Sequence, residues 1–173
     1  MKHIIRLETC ESTNTYAKSL IQTHHENFAV IATEQTKGKG THGKSFYSPK
    51  GKGLYISMVF YDAIPFEKVH TLTLKMAHHI QTVIKKHTGI QCQVVLPNDL
   101  YIDGKKVCGI LTETTLDNTS KHYEAIVVGV GLNVYKVDNL PEDIKDIHTS
   151  LQNHTQETII MNDLTNDILT FIP

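Results

Sequence analysis

Residues 38–60 read GKGTHGKSFYSPKGKGLYISMVF, and the residues after Lys44 decide the fold. Gly38, Gly43, Lys44 and Ser45 formally satisfy the phosphate-loop pattern G-x-x-x-x-G-K-[ST]. That pattern requires a helix opening at the lysine, with its N-terminus turned to the phosphates. Here Phe46, Tyr47, Ser48 and Pro49 come next, then Lys50-Gly51-Lys52-Gly53 and the strand-like run from Leu54 to Phe60. No helix starts at Lys44, so the phosphate-loop reading is rejected. What remains is a glycine-rich basic loop running into a strand. Glycine lets backbone N–H groups approach a ligand closely, and Lys39 and Lys44 supply point charges for carboxylate or phosphate oxygens. A solvated basic turn is the bland alternative.

Outward from this loop the chain alternates strands and helices. Ile4 to Glu8 reads as a strand, Thr13 to His24 as an amphipathic helix capped by Ser12, and Phe28 to Thr33 as a second strand. Phe66 to His87 reads as a helix, with Pro65 before its first turn. Gln91 to Val95 and Leu100 to Ile102 are short strands, and Asp103-Gly104 is a two-residue hairpin signal leading into Val107 to Thr114. Tyr123 to Val130 pairs with that strand through the polar turn around Asp117-Asn118; a weak helix around Glu142 to Ile144 and another from Met161 to Phe171 complete the series. Short connections between consecutive strands imply an α+β fold: a largely antiparallel sheet with helices packed on one face.

Composition bounds the function. At 173 residues and 40% hydrophobic content, the chain is expected to be one domain with a real core. Lysine plus arginine number 17 against 18 aspartate plus glutamate, so a DNA or RNA interface is not expected. Neither a signal peptide nor a run of about 18 apolar residues occurs, so no membrane partner is expected. Cys10, Cys92 and Cys108 have no metal or redox spacing and suggest a reducing cytoplasm. The adjacent pairs His24-His25 and His78-His79 point about 100° apart on a helix and cannot chelate as an i,i+4 couple would.

Several short pieces carry a resemblance: Glu11-Ser12-Thr13-Asn14 after the first strand, Gln35 with the basic loop, and Leu54-Tyr55-Ile56-Ser57. Further along stand Pro97-Asn98-Asp99, then Lys105-Lys106-Val107-Cys108-Gly109-Ile110-Leu111, Gly129-Val130-Gly131-Leu132-Asn133 and Thr149-Ser150-Leu151. In this order and at this approximate spacing, the chain resembles biotin protein ligases of the biotin/lipoate ligase superfamily. The resemblance implies a catalytic core of the class II aminoacyl-tRNA-synthetase type over residues 1–173. It also implies that an N-terminal helix-turn-helix domain is absent and that the small C-terminal β domain is absent or truncated.

The implied chemistry presses two anions together, biotin's carboxylate and the α-phosphate of ATP, so a cation must sit between them. Lys106 stands just past the Asp103-Gly104 turn at the start of a buried strand, a rigid position for such an ammonium. Two charges about 4 Å apart at an effective dielectric near 20 interact by roughly 4 kcal/mol, enough to matter for a barrier. By resemblance Lys106 and Lys39 are the catalytic cations. Ser12, Thr13, Asn14, Gln35, Gly38, Lys39, Lys106, Gly109, Gly129 and Gly131 match the biotin site, the last three as glycines that leave bare backbone for the ligand. Lys39, Thr41, Lys44, Phe46, Asn98, Asp99, Lys106 and Asn133 match the nucleotide site. Mg²⁺ is expected to arrive with ATP, with no certain protein ligand beyond the neighbourhood of Asp99. A biotin carboxyl carrier protein is the implied macromolecular partner, and a homodimer is suggested.

The sequence departs from the family pattern at Lys39, which replaces an arginine and loses its planar fork, and at Val95-Leu96, which replaces Lys-Trp. Lys37 beside the loop is the candidate to compensate for that lost charge. Cys108 next to Gly109 reads as packing rather than as a reactive thiol. Two other readings stay open: a lipoate or octanoate ligase or transferase, against which the loop GKGTHGK argues, and a non-catalytic biotin-binding module.

Overall fold

The computed structural model describes residues 1–61, 69–116 and 123–173. In chain order its elements are β1 (His3–Cys10), α1 (Thr13–Leu20), β2 (Phe28–Gln35), β3 (Gly53–Phe60), α2 (Val69–Thr88), β4 (Gln93–Val95), β5 (Asp99–Ile102), β6 (Lys105–Leu116), β7 (Tyr123–Asn133) and α3 (Met161–Ile168). The strands form one seven-stranded sheet in the order β1-β2-β3-β7-β6-β5-β4. All neighbours are antiparallel except β1 and β2. The α+β, largely antiparallel sheet expected from the sequence is present.

Placing the helices on one face was wrong, and strand periodicity shows why. On β2, Ala29 and Ile31 pack with α2 residues Leu72, Met76 and Ile80 and with α3 residues Leu164 and Ile168. Phe28 and Val30 point the other way, onto Ala17 of α1, with Val59 and Val127 beside them. Parallel β1 and β2 need a crossover connection, and α1 is that crossover, so it must lie over a sheet face. The large core under α2 and α3 thus occupies one face. The other face is covered by α1 at one end and left free, along β6 and β7, for a site.

Element limits moved modestly. Helix α1 ends at Leu20 rather than His24, and β6 and β7 run longer, at both ends or at the far end, than expected. The stretch around Glu142 to Ile144 is a run of turns, held by bonds such as Lys145 N–H to Pro141 O at 3.1 Å, and not a helix. Pro65 and Asp117-Asn118 lie outside the described residues. No described helix is long and apolar enough to cross a membrane.

Candidate active site

The free sheet face has a floor made by alternation. On β7, Val128, Val130 and Leu132 enter the α2 core, so Gly129, Gly131 and Asn133 face the other side. Gly109 of β6 lies opposite Gly131, and Leu111 opposite Gly129. Ser57 and Tyr55 of β3 flank the same glycines. The result is a stretch of sheet without side chains of its own, flanked by hydroxyls, on which side chains from other elements can lie.

A bulge brings Lys106 onto this face. Leu100 pairs with Cys108 but Tyr101 pairs with Lys106, so Val107 is an extra residue on β6. Val107 and Cys108 both enter the α2 core. Strict alternation would have turned Lys106 into that core; the bulge turns it to the site, a known use of such irregularities. Its backbone is clamped on the other side as well, with Lys106 N–H to Ile147 O at 2.7 Å and Thr149 N–H to Lys106 O at 3.0 Å. Asn133 Nδ2 adds a bond to Thr149 O at 3.0 Å.

Lys106 Nζ lies 2.8 Å from Asp99 Oδ1. That oxygen is buried yet has no well-aligned hydrogen bond, so the pair is held by charge and not by hydrogen-bond direction. The ammonium also sits 5.9 Å from the centre of the Phe46 ring, at the limit of a cation–π contact.

Two adjacent cavities meet at Lys106, Phe46 and Gly40. The first, about 400 Å³, is lined by Ser12, Thr13 and Asn14 from the start of α1, by Gln35 and Lys39, and by the three sheet glycines. The second, about 790 Å³, holds Thr41, Lys44, Asp99 and Asn133, with Tyr47, Tyr101, Ile144, Ile147 and His148 as further walls. Both volumes include space open to solvent.

The first cavity has a pre-set polar wall. Thr13 donates to Gln35 Oε1 from both its N–H and its hydroxyl, at 2.8 and 3.1 Å, and Gln35 Nε2 donates to Ser48 Oγ at 2.9 Å. Asn14 Nδ2 donates to Glu113 Oε2 at 2.8 Å and to Leu111 O at 3.3 Å, while its Oδ1 faces Ser57 Oγ. Ser12 caps α1 by accepting from Thr15 N–H at 3.5 Å, a role that uses the hydroxyl oxygen and not its proton. Glu113 is paired with Lys18 at 2.6 Å. Burial pushes its carboxyl up, but the hydrogen bonds from Lys18 and Asn14 and the Lys18 and Lys39 charges outweigh it, and the net shift is downward. Burial, with Lys105 adding to it, holds the His148 imidazole below its ordinary range, so it lines the second cavity as a neutral ring.

The loop over the site is an ordered miniature hairpin: Gly40 N–H bonds Lys44 O at 2.7 Å and Phe46 N–H bonds Gly38 O at 2.9 Å. No helix begins at Lys44. Gly38 lines neither cavity; a Cβ there would stand 2.3 Å from Phe46 O, so its role is close backbone approach. Asn98 and Lys39, expected at the nucleotide, line the first cavity rather than the second. Asn98 Nδ2 gives one of its protons to Ile110 O at 3.0 Å. The sheet glycines do not leave open backbone: a Cβ on Gly129 would meet Asn14 Oδ1 at 2.2 Å, and one on Gly131 would meet Phe46 at 2.4 Å. They make room for the site's own side chains.

Lys37 does not supply the compensating charge, since it pairs with Glu11 at 2.7 Å and lines neither cavity. Val95 and Leu96 are exposed and also line neither. Cys108 is fully buried in the core, and burial drives its thiol well above the usual range, which makes it packing. Ser57, Glu113, Tyr101 and His148 were not anticipated. Period-two counting from Gly109 reaches Glu113, and Ser57 is the polar interruption of an apolar strand, so both carried a signal.

The structure is thus a mixed-sheet α+β domain in which a basic loop lies over two cavities that share one lysine. The model of the biotin/lipoate A/B protein ligase family matches residues 7–133, and the chain belongs to that family. It is 34% identical over 160 residues to the bifunctional ligase/repressor BirA of Bacillus subtilis, covering 91% of this chain and 49% of that protein. It is 32% identical over 128 residues to BirA of Escherichia coli, covering 74% of this chain and 39% of that protein. The chain thus spans about half the length of such relatives, or less. Among solved structures, a biotin protein ligase from Aquifex aeolicus in complex with biotin and ATP superposes with a TM-score of 0.81 at 29% identity, covering 98% of this chain and 68% of that one. A Leishmania major biotin protein ligase in complex with biotinyl-5-AMP shares the fold, with a TM-score of 0.80 at 24% identity, 98% of this chain and 73% of that one.

Proposed function

We propose that this chain is an ATP-dependent biotin protein ligase. The observation that carries the reading is the position of Lys106 on the wall common to both cavities. Biotin's ring system would lie in the first cavity and its carboxylate would reach Lys106; the nucleotide would occupy the second, with its α-phosphate against the same ammonium. In the first step a carboxylate oxygen bonds to the α-phosphorus and the bond to the bridging oxygen breaks, releasing pyrophosphate. In the second, a carrier lysine amine attacks the acyl carbon, AMP leaves, and the amine loses a proton. Lys106 offsets the repulsion between the two anions in the first step. Lys44 and Lys39 add charge from the loop above.

Mg²⁺ fits as a companion of the triphosphate. Among the described residues there is no group of three or more His, Cys, Asp or Glu that could hold an ion alone. Among the described residues lining the second cavity, Asp99 is the carboxylate that could share a metal with phosphate oxygens, its Oδ1 being paired with Lys106 by charge alone. The ion would neutralise phosphate charge.

Biotin is favoured over lipoate because the wall formed by Ser12, Thr13, Asn14 and Gln35 is polar and offers hydrogen-bonding atoms that a ureido ring can use and a dithiolane cannot. A biotin carboxyl carrier protein is the expected acceptor, a reducing cytoplasm the expected compartment, and a homodimer the expected assembly. No DNA-binding role is assigned to this chain. The test is pyrophosphate release from Mg-ATP with biotin, lipoate and octanoate in parallel. Release with biotin, lowered at least a hundredfold in Lys106→Ala, supports the reading. Release with lipoate or octanoate but not biotin moves the chain to the other branch, and silence with all three makes it a binding module.

A further inference from the structure

We propose that Glu113 is a positioning residue of the first cavity, which fixes the Asn14 amide so that Asn14 offers a ligand only an acceptor and thereby selects a head group bearing an N–H donor. The inference rests on the biotin ligase reading and deepens it. Asn14 Nδ2 carries two protons, and both are engaged, by Glu113 Oε2 at 2.8 Å and Leu111 O at 3.3 Å. Its Oδ1 therefore turns to Ser57 and lies directly over Gly129. Flipping the amide would set that oxygen against a carboxylate and a carbonyl, which are acceptors only.

The acceptor has capacity left. Ser57 has one proton and two candidate acceptors, Asn14 Oδ1 and Thr13 Oγ1 at 2.8 Å. Thr13 gives its own proton to Gln35. Asn14 Oδ1 thus keeps a lone pair for a ligand N–H, whereas a ligand carbonyl placed there meets oxygen. Lys18, 2.6 Å from Glu113 on the adjacent turn of α1, keeps the carboxylate ionised and so keeps the orientation fixed. A neutral glutamine at 113 could donate as well as accept, and both Asn14 orientations would become allowed.

The experiment is biotin-dependent pyrophosphate release by the full chain and by Glu113→Gln and Glu113→Asp, with a biotin analogue N-methylated on both ureido nitrogens as the second substrate. Thermal melting accompanies each assay. Glu113→Gln is expected to raise the KM for biotin about tenfold, to leave the KM for ATP within about twofold, and to shrink the preference for biotin over the methylated analogue. Glu113→Asp keeps the charge beside Lys18 but withdraws the oxygen from Asn14, and is expected to lose part of that preference; it also serves if Glu113→Gln melts too low to assay. Unchanged discrimination in a folded variant overturns the inference, as does an equal loss in the ATP and biotin parameters, which would mark Glu113 as merely structural. If the unmodified chain does not respond to biotin, the ligase reading fails first; if it responds and only the variants behave as wild type, this inference alone fails.

Discussion

Lys106 and Glu113 both act from β6, but they are fixed by different means. Lys106 owes its direction to one extra backbone residue, Val107, and its rigidity to the bonds its backbone gives to Ile147 and accepts from Thr149 on its far side. Burial opposes the charge of Glu113, and the bonds from Lys18 and Asn14, with the Lys18 and Lys39 charges, outweigh it and hold the carboxyl below its ordinary value. These charges also set the sign of its effect on stability. A carboxyl held below its ordinary value contributes stability that is complete above the unfolded pKa, about 4.3, and is lost as pH falls through the lower folded value. The difference in unfolding free energy between the chain and Glu113→Gln should therefore be constant above about pH 5 and narrow in stronger acid. Chemical denaturation at stepped pH measures it; a difference that grows on acidification would contradict the assignment. Neither residue's setting is local in sequence. The Asp103-Gly104 turn marks Lys106 as a rigid hairpin lysine, but a bulge has no motif, and Glu113 meets Asn14 and Lys18 only after the chain has passed through β2, β3 and α2.

At the scale of elements, the short motifs proved to be faces of strands. The alternation in Gly129-Val130-Gly131-Leu132-Asn133 separates core from site residue by residue, and the structure follows it. What alternation could not give was the content of the space above each glycine. Gly131→Ala would force Phe46 out of a 2.4 Å approach. Phe46 stands at the junction of the two cavities, so this change should cost at least tenfold in kcat/KM for pyrophosphate release, matching an overpacking penalty of about 1–3 kcal/mol. Gly40→Ala, where the nearest atom would be 3.4 Å away, should be far milder under the same assay. Equal effects of the two would show that Phe46 does not occupy that position. The basic loop was legible as a ligand-facing segment because no helix can start at Lys44. Its hairpin order was not, since the bonds between Gly38 and Phe46 and between Gly40 and Lys44 carry no sequence signal.

For the whole molecule, the sheet and its largely antiparallel character could be read from strand periods and short turns, because those are local. The parallel pairing of β1 with β2 could not, and with it went the side on which α1 packs. That side matters, because the start of α1 supplies Ser12, Thr13 and Asn14 to the same face that the bulge gives Lys106. Two layers of helices thus divide the labour: α2 and α3 bury the core, and α1 with the loop encloses the cavities. Whether one lysine serves both cavities at once can be read from a crystal structure of this chain with a non-hydrolysable biotinyl-adenylate analogue. The ureido ring should lie beside Asn14 and Gln35, the base between Tyr47, Ile144 and His148, and the linking group within hydrogen-bond distance of Lys106 Nζ. A ligand bound with its linkage away from Lys106, or wholly within one cavity, would contradict that shared role.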